Sequence, residues 1–122
     1  MSTKEKGDLA VAKAIAYFVE QGCEILLPIG DKKKYDLVID FNNKLLKVQC
    51  KYTSAKKRSG NYEVQLRVCG GNSGRVIYRY EETDFDFLFV YTEGKKMYLI
   101  PSNELTSSTI TVGKKRSKYE VK

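Results

Sequence analysis

The chain has 122 residues, with 22 lysines and arginines against 15 acids and a formal charge of +7. It contains no histidine, which removes Ser-His-Asp and Cys-His catalysis, histidine-metal nucleases and zincin sites together, and there is no P-loop. Any chemistry rests on carboxylates and lysines, and the charge favours an anionic partner, nucleic acid first.

The length suits a single domain over 1–122 with a modest core. Cys23, Cys50 and Cys69 are an odd set without CxxC spacing, so zinc and a full disulfide set are not expected and a cytoplasmic location is. No apolar run approaches membrane-spanning length and no signal-peptide pattern opens the chain, so no membrane partner is expected.

In chain order, Asp8 to Gln21 reads as an amphipathic helix with Ala12, Ile15, Ala16 and Val19 at helical spacing and Gly22 as its stop. Glu24 to Leu27 is a short strand ending at Pro28. A basic loop with Lys32, Lys33 and Lys34 follows, positioned for phosphate contact. Asp36 to Asp40 and Lys44 to Lys51 read as two strands joined by a tight turn at Asn42-Asn43, with Asp40 assigned to the turn. Lys56, Lys57 and Arg58 lie in a second basic stretch. Tyr62, Val64, Leu66 and Val68 alternate with polar residues as one strand. Arg75 to Tyr80 is expected to be an extended arm carrying Arg75 and Arg79. Asp86 to Tyr91 is apolar on both faces and reads as a central strand, with Met97 to Pro101 pairing beside it. Ser102 to Leu105 begins a short helix, and 113–122 is expected to be a flexible basic tail. The fold class is α/β (α+β): one packed first helix and a mostly antiparallel sheet with a mixed core.

The most informative spacing is Asp36 followed thirteen positions on by Gln49-Cys50-Lys51. In the second strand Leu46, Val48, Cys50 and Tyr52 form an apolar face. Gln49 and Lys51 therefore point the other way, and the hairpin brings Asp36 beside them. A carboxylate, a carbonyl oxygen and an ammonium on one sheet face are what metal-assisted phosphodiester cleavage needs.

This arrangement resembles the PD-(D/E)-x-K nuclease superfamily. Asp36 matches its first acid, Lys51 its lysine and Gln49 its second acid, here an amide; Tyr35 stands where proline is usual. Together with Lys6-Gly7-Asp8, Gly22, Leu27-Pro28-Ile29-Gly30 and Tyr35-Asp36-Leu37, the order and spacing look like the small group I intron-encoded homing endonucleases, in which glutamine occurs at this place. The resemblance implies a restriction-endonuclease-like core, a mixed central sheet flanked by helices. It also implies an acid from the first helix. The usual place falls on Val11, which cannot ligate metal, and Asp8, three residues earlier, is the candidate substitute.

Mg²⁺ prefers oxygen ligands and keeps several waters. Asp36 is its expected carboxylate ligand, with the Gln49 side-chain oxygen, the Cys50 backbone carbonyl and Asp8 completing the set. Mn²⁺ is expected to substitute. Lys51 holds the attacking water or offsets phosphate charge. The expected partner is double-stranded DNA. A chain this small needs a homodimer or homotetramer to cut both strands. Three functions compete: a Mg²⁺-dependent DNA endonuclease of homing or restriction type, a Holliday-junction resolvase, and a non-catalytic DNA-binding module.

Overall fold

A computed structural model describes residues 1–30, 33–70, 76–79 and 84–122, with backbone alone for 67–70 and 76–79. Helix α1 runs Thr3–Glu20, five residues earlier than the apolar spacing suggests. Ser2 and Glu5 form a reciprocal capping box that fixes this start: Ser2 Oγ accepts the Glu5 N–H at 3.1 Å, and Glu5 Oε1 accepts the Ser2 N–H at 3.0 Å. The buried stripe is Ala10, Ala14 and Phe18, flanked by Leu9, Val11, Ile15 and Tyr17. Ala12, Ala16 and Val19, expected on the core side, face solvent. The small Ala10 and Ala14 let the helix lie close to the sheet, and the large Phe18 fills the space beyond them.

Six strands form the central sheet: β1 (Glu24–Leu26), β2 (Leu37–Phe41), β3 (Lys44–Thr53), β7 (Phe87–Thr92), β8 (Met97–Pro101) and β10 (Glu120–Val121), in the order β1-β2-β3-β7-β8-β10. Asn42 and Asn43 turn β2 into β3 with φ of 53° and 63°, the left-handed pair that a two-residue hairpin requires. Asp40 belongs to β2, opposite Leu45, and not to the turn. The β3–β7 pair is parallel and the others are antiparallel, so the sheet is mixed.

The crossover from β3 to β7 carries one antiparallel ribbon and one strand of a second, whose partner comes from beyond β8. Strand β4 (Tyr62–Gln65) pairs with β9 (Thr109–Val112), and β5 (Arg67–Gly70) pairs with β6 (Val76–Arg79). The single strand expected from Tyr62 to Val68 is thus broken at Leu66, whose N–H turns to the Ser108 carbonyl at 2.8 Å. The expected arm at Arg75 to Tyr80 contains β6; Arg75 and Tyr80 lie outside the described residues.

Two apolar clusters cover the two sheet faces. Under α1 lie Leu37, Ile39, Val48, Cys50, Phe89 and Tyr91. Under the β4–β9 ribbon lie Leu88, Val90, Tyr98 and Ile100, closed by Val64, Ile110 and Val112. Strand β7 feeds both, and Leu88, Phe89 and Val90 retain no exposed surface. Each such burial contributes about 1.5–3 kcal/mol.

The second face is therefore covered by a ribbon, and α1 is the single α-helix among the described residues. The expected helix at Ser102 to Leu105 is a single 3-10 turn, Ser102–Glu104. The end of the chain, expected to be a flexible tail, returns to the sheet as β10 beside β8. Its apolar residues explain this: Tyr119 packs against the ribbon-side cluster and Val121 against the helix-side one. Among the described residues no helix is long and apolar enough to cross a membrane.

Candidate active site

Strand β3 is longer than the partners on either side of it. β2 begins at Leu37, opposite Val48, so the ladder on that side stops there. Asp36 donates its own N–H to the Val48 carbonyl at 2.8 Å and is the last residue to reach β3 through its backbone. Cys50, two positions on, presents its N–H and C=O to the same side with no strand opposite. A buried backbone group left unpaired is costly. Two side chains supply the partners. Asp36 Oδ2 accepts the Cys50 N–H at 2.8 Å, and Gln49 Nε2 donates to the Cys50 carbonyl at 3.3 Å.

This open rung of the ladder gathers the predicted residues. Asp36 and Gln49 meet on the backbone of Cys50, one at its N–H and one at its carbonyl, and Lys51 interacts with Asp36 electrostatically. Gln49 is buried at 8% exposure, and Asp36 and Lys51 are half-buried. Burial raises the Asp36 pKa, opposed by the Cys50 N–H and the Lys51 charge. Burial lowers the Lys51 pKa, opposed by Asp36. The Cys50 thiol points into the helix-side cluster, and burial, then the Asp36 charge, push its pKa well up. That thiol is core, and only its backbone faces the site.

The other side of β3 is capped by the same device. Asp86 Oδ2 accepts the Lys47 N–H at 2.8 Å, and the Asp86 N–H returns to the Lys47 carbonyl at 2.8 Å. This clamp sets where β7 begins, with Phe87 opposite Val48, one residue before Gln49 in the β3 register. Sequence reasoning did not assign Asp86 a role. The signal was present: like Asp36, it is an acid immediately ahead of an apolar strand. Tyr35, in the usual proline place, packs on the ribbon-side cluster with the Lys47 ammonium 5.7 Å from its ring centroid.

The first helix adds no acid to this point. Val11 packs against the helix-side cluster. Asp8 is 71% exposed and pairs with Lys4 at 3.5 Å, on a helix that covers the face opposite Gln49 and Lys51. No group of three or more His, Cys, Asp or Glu placed to hold a metal occurs among the described residues.

The basic candidates divide. Lys33, Lys56 and Arg58 are exposed. Lys34 pairs with Asp84 at 3.6 Å and Lys57 with Glu63 at 3.1 Å. Lys32 and Arg75 lie outside the described residues, and Arg79 is described only as backbone in β6.

A family model for PD-(D/E)XK endonuclease matches residues 1–121. The chain belongs to the PD-(D/E)XK endonuclease family. It is also similar to the solved structure of a bacterial homing endonuclease, I-Ssp6803I, at 35% identity and a TM-score of 0.79, over 93% of this chain and 79% of that one. Among curated proteins none matches. In this PD-(D/E)XK endonuclease Asp36, Gln49, the Cys50 carbonyl and Lys51 are the candidate residues around the open rung. Its donors are one carboxylate and two neutral oxygens, a set that suits a hard divalent cation keeping several of its waters.

Proposed function

We propose that this PD-(D/E)XK endonuclease is a divalent-metal-dependent nuclease that hydrolyses phosphodiester bonds in double-stranded DNA, as a homing or restriction-like enzyme. The observation that carries the reading is the convergence of Asp36, Gln49 and the Cys50 carbonyl at an open ladder position, with the Lys51 ammonium coupled to it. The similarity to I-Ssp6803I, a homing endonuclease, favours this class over a junction resolvase.

Asp36, the Gln49 side-chain oxygen and the Cys50 carbonyl would hold the cation, Mg²⁺ by preference, with Mn²⁺ as a substitute. Bound there, it supplies Lewis acidity at a phosphoryl oxygen. Lys51 positions the attacking water or offsets charge on the phosphate as the bond to the leaving oxygen breaks. Its lowered pKa suits it to move a proton near neutral pH more readily than a free lysine does. Cleavage of both strands requires a second copy with its site on the other strand, so the working assembly is a homodimer or homotetramer.

The test is purified protein with Mg²⁺ on linear, supercoiled and four-way-junction DNA, with Asp36→Asn as control. Cleavage of linear duplex lost in the variant supports the reading. Cutting confined to the junction supports a resolvase, and binding without any cleavage makes the chain a DNA-binding module.

A further inference from the structure

On the ribbon-covered face of the sheet, a hollow of about 300 Å³ opens between the β3–β4 connection, the β7–β8 turn and the segment after β9. Lysines from three separate segments line it: Lys56, Lys96 and Lys114. Lys96 has Glu120 at 4.0 Å, at the limit of an ion pair and with its own side chain 62% exposed. Lys56 and Lys114 have no carboxylate partner among the described residues. Three lysines from separate segments give this concavity an excess of positive charge, which favours an anion.

The wall between the lysines is fixed. Asn61 Oδ1 accepts the Lys114 N–H at 2.8 Å, and Asn61 Nδ2 donates to Ser59 Oγ at 3.1 Å. Ser59 Oγ also accepts the Asn61 N–H at 3.4 Å. Its acceptor capacity is then filled, and its hydroxyl proton is left to donate to an anion. Gly113 lets the loops close up: its φ is +142°, and a Cβ there would stand 3.1 Å from the Asn61 Cα. The hollow is thus held open by backbone contacts, with donors and positive charge on its walls.

Its place points to the occupant. Thr92 lines the hollow and is the register partner of Thr53, two residues beyond Lys51 on β3. Two residues of strand span about 7 Å. The hollow therefore lies on the sheet face that carries Gln49 and Lys51, a short distance past the open rung. Resting on the nuclease reading, we propose that Lys56, Lys96, Lys114 and Ser59 form a phosphate-binding site that takes a DNA backbone phosphate away from the scissile one and fixes the register of the duplex on the enzyme.

The experiment uses the full chain and the double variant Lys96→Ala/Lys114→Ala. A second double variant, Lys13→Ala/Lys44→Ala, removes the same charge from α1 and from the start of β3. All four side chains are exposed, so both variants are expected to fold. Duplex affinity is measured in Ca²⁺ across a salt series. Inorganic phosphate is titrated while the Asn61 and Lys114 amide resonances are followed. The hollow variant is expected to bind DNA about 10-fold more weakly at ~0.1 M salt, with a salt slope flatter by about 0.9. The response of the Asn61 amide to phosphate is expected to be lost. The Lys13/Lys44 variant is expected to stay within about 2-fold in affinity. Equal losses in both variants would mean bulk charge and overturn the site. An amide response to phosphate with an unchanged DNA slope would mark a free-anion site and overturn the DNA assignment. Wild-type protein that binds no DNA at any salt would overturn the nuclease reading and this proposal with it.

Discussion

The Gln49 carboxamide is closed onto the backbone carbonyl of its own neighbour, Cys50. Gln49 Nε2 donates to that carbonyl at 3.3 Å, in a position buried from solvent. A half-turn of the amide replaces Nε2 with Oε1 and leaves both oxygens facing the same point, without moving the chain. Glutamine thus serves as a donor here, and under the proposed metal reading it would serve the metal-bound protein as an acceptor. A glutamate has only the second capacity.

Gln49→Glu is therefore expected to destabilise the metal-free protein. It places a carboxylate against the Cys50 carbonyl and beside Asp36, and leaves that carbonyl without its donor. The cost is about 1–3 kcal/mol. Saturating Mg²⁺ should restore most of it, because the added charge strengthens metal binding and binding to the folded state stabilises it. Melting temperatures in EDTA and in Mg²⁺ check this: the variant gains more from metal than the wild type, and needs less Mg²⁺ for half-maximal cleavage. An equal gain in both proteins rules out Gln49 as a ligand.

Asp36→Asn and Lys51→Ala are each expected to slow cleavage by at least ~100-fold, because each removes a transition-state contact. DNA affinity in Ca²⁺ should stay within several-fold. In Asp36→Asn the amide oxygen of the new side chain can still accept the Cys50 N–H, so this variant should fold as the wild type does. Asp36→Ala leaves that N–H unpaired and should also lose about 1–3 kcal/mol in denaturant unfolding. Normal cleavage by either Asp36→Asn or Lys51→Ala would falsify the site.

The site was legible because it is built from local pattern. Asn42-Asn43 fixes the hairpin, and period-two alternation in β3 separates Gln49 and Lys51 from Val48 and Cys50. Neither signal needs long-range information. The open rung itself was not legible, since it depends on where β2 ends relative to β3. The parallel pairing of β3 with β7 joins residues nearly forty positions apart, so the Asp86 clamp on Lys47 could not be seen either. The face of α1 was misread because Ala12 and Ala16 match the helical period as well as Ala10 and Ala14 do. Only the sheet decides which pair is covered. The 113–122 segment looked like a tail because its lysines outnumber its apolar residues, yet Tyr119 and Val121 suffice to dock it.

The buried carboxylate gives the protein a pH signature. Burial raises the Asp36 pKa in the fold, so protonation of Asp36 favours the folded state. Below the ordinary carboxylate range both states are protonated and this contribution is fully present. As pH rises, the unfolded chain ionises first, and the contribution is lost until pH passes the raised folded value. In EDTA, wild-type stability relative to Asp36→Asn should therefore fall across that window and then level off. Denaturant midpoints of the two proteins at several pH values check it. A difference that instead grows in favour of the wild type as pH rises would mean that the Lys51 charge and the Cys50 N–H outweigh burial.

The basic residues should differ in their grip on DNA according to their partners. Lys34 and Lys57 each hold a carboxylate, Asp84 at 3.6 Å and Glu63 at 3.1 Å. Exposed pairs of this kind are worth only about 0.2–1 kcal/mol, so they break easily. A phosphate must nevertheless displace the carboxylate before it gains the ammonium, and the released acid stays nearby as a like charge to the DNA. Lys33 and Lys56 are exposed, and no ion pair holds either among the described residues. Lys33→Ala and Lys56→Ala are thus expected to flatten the salt dependence of binding by close to the full ~0.9 per phosphate contact, and Lys34→Ala and Lys57→Ala by less. The converse variants are sharper. Glu63→Gln frees Lys57 and Asp84→Asn frees Lys34, so each should tighten DNA binding and steepen the slope by up to about 0.9. Binding isotherms in Ca²⁺ across a salt series measure both effects. If Glu63→Gln and Asp84→Asn leave affinity and slope unchanged, Lys57 and Lys34 do not face the DNA.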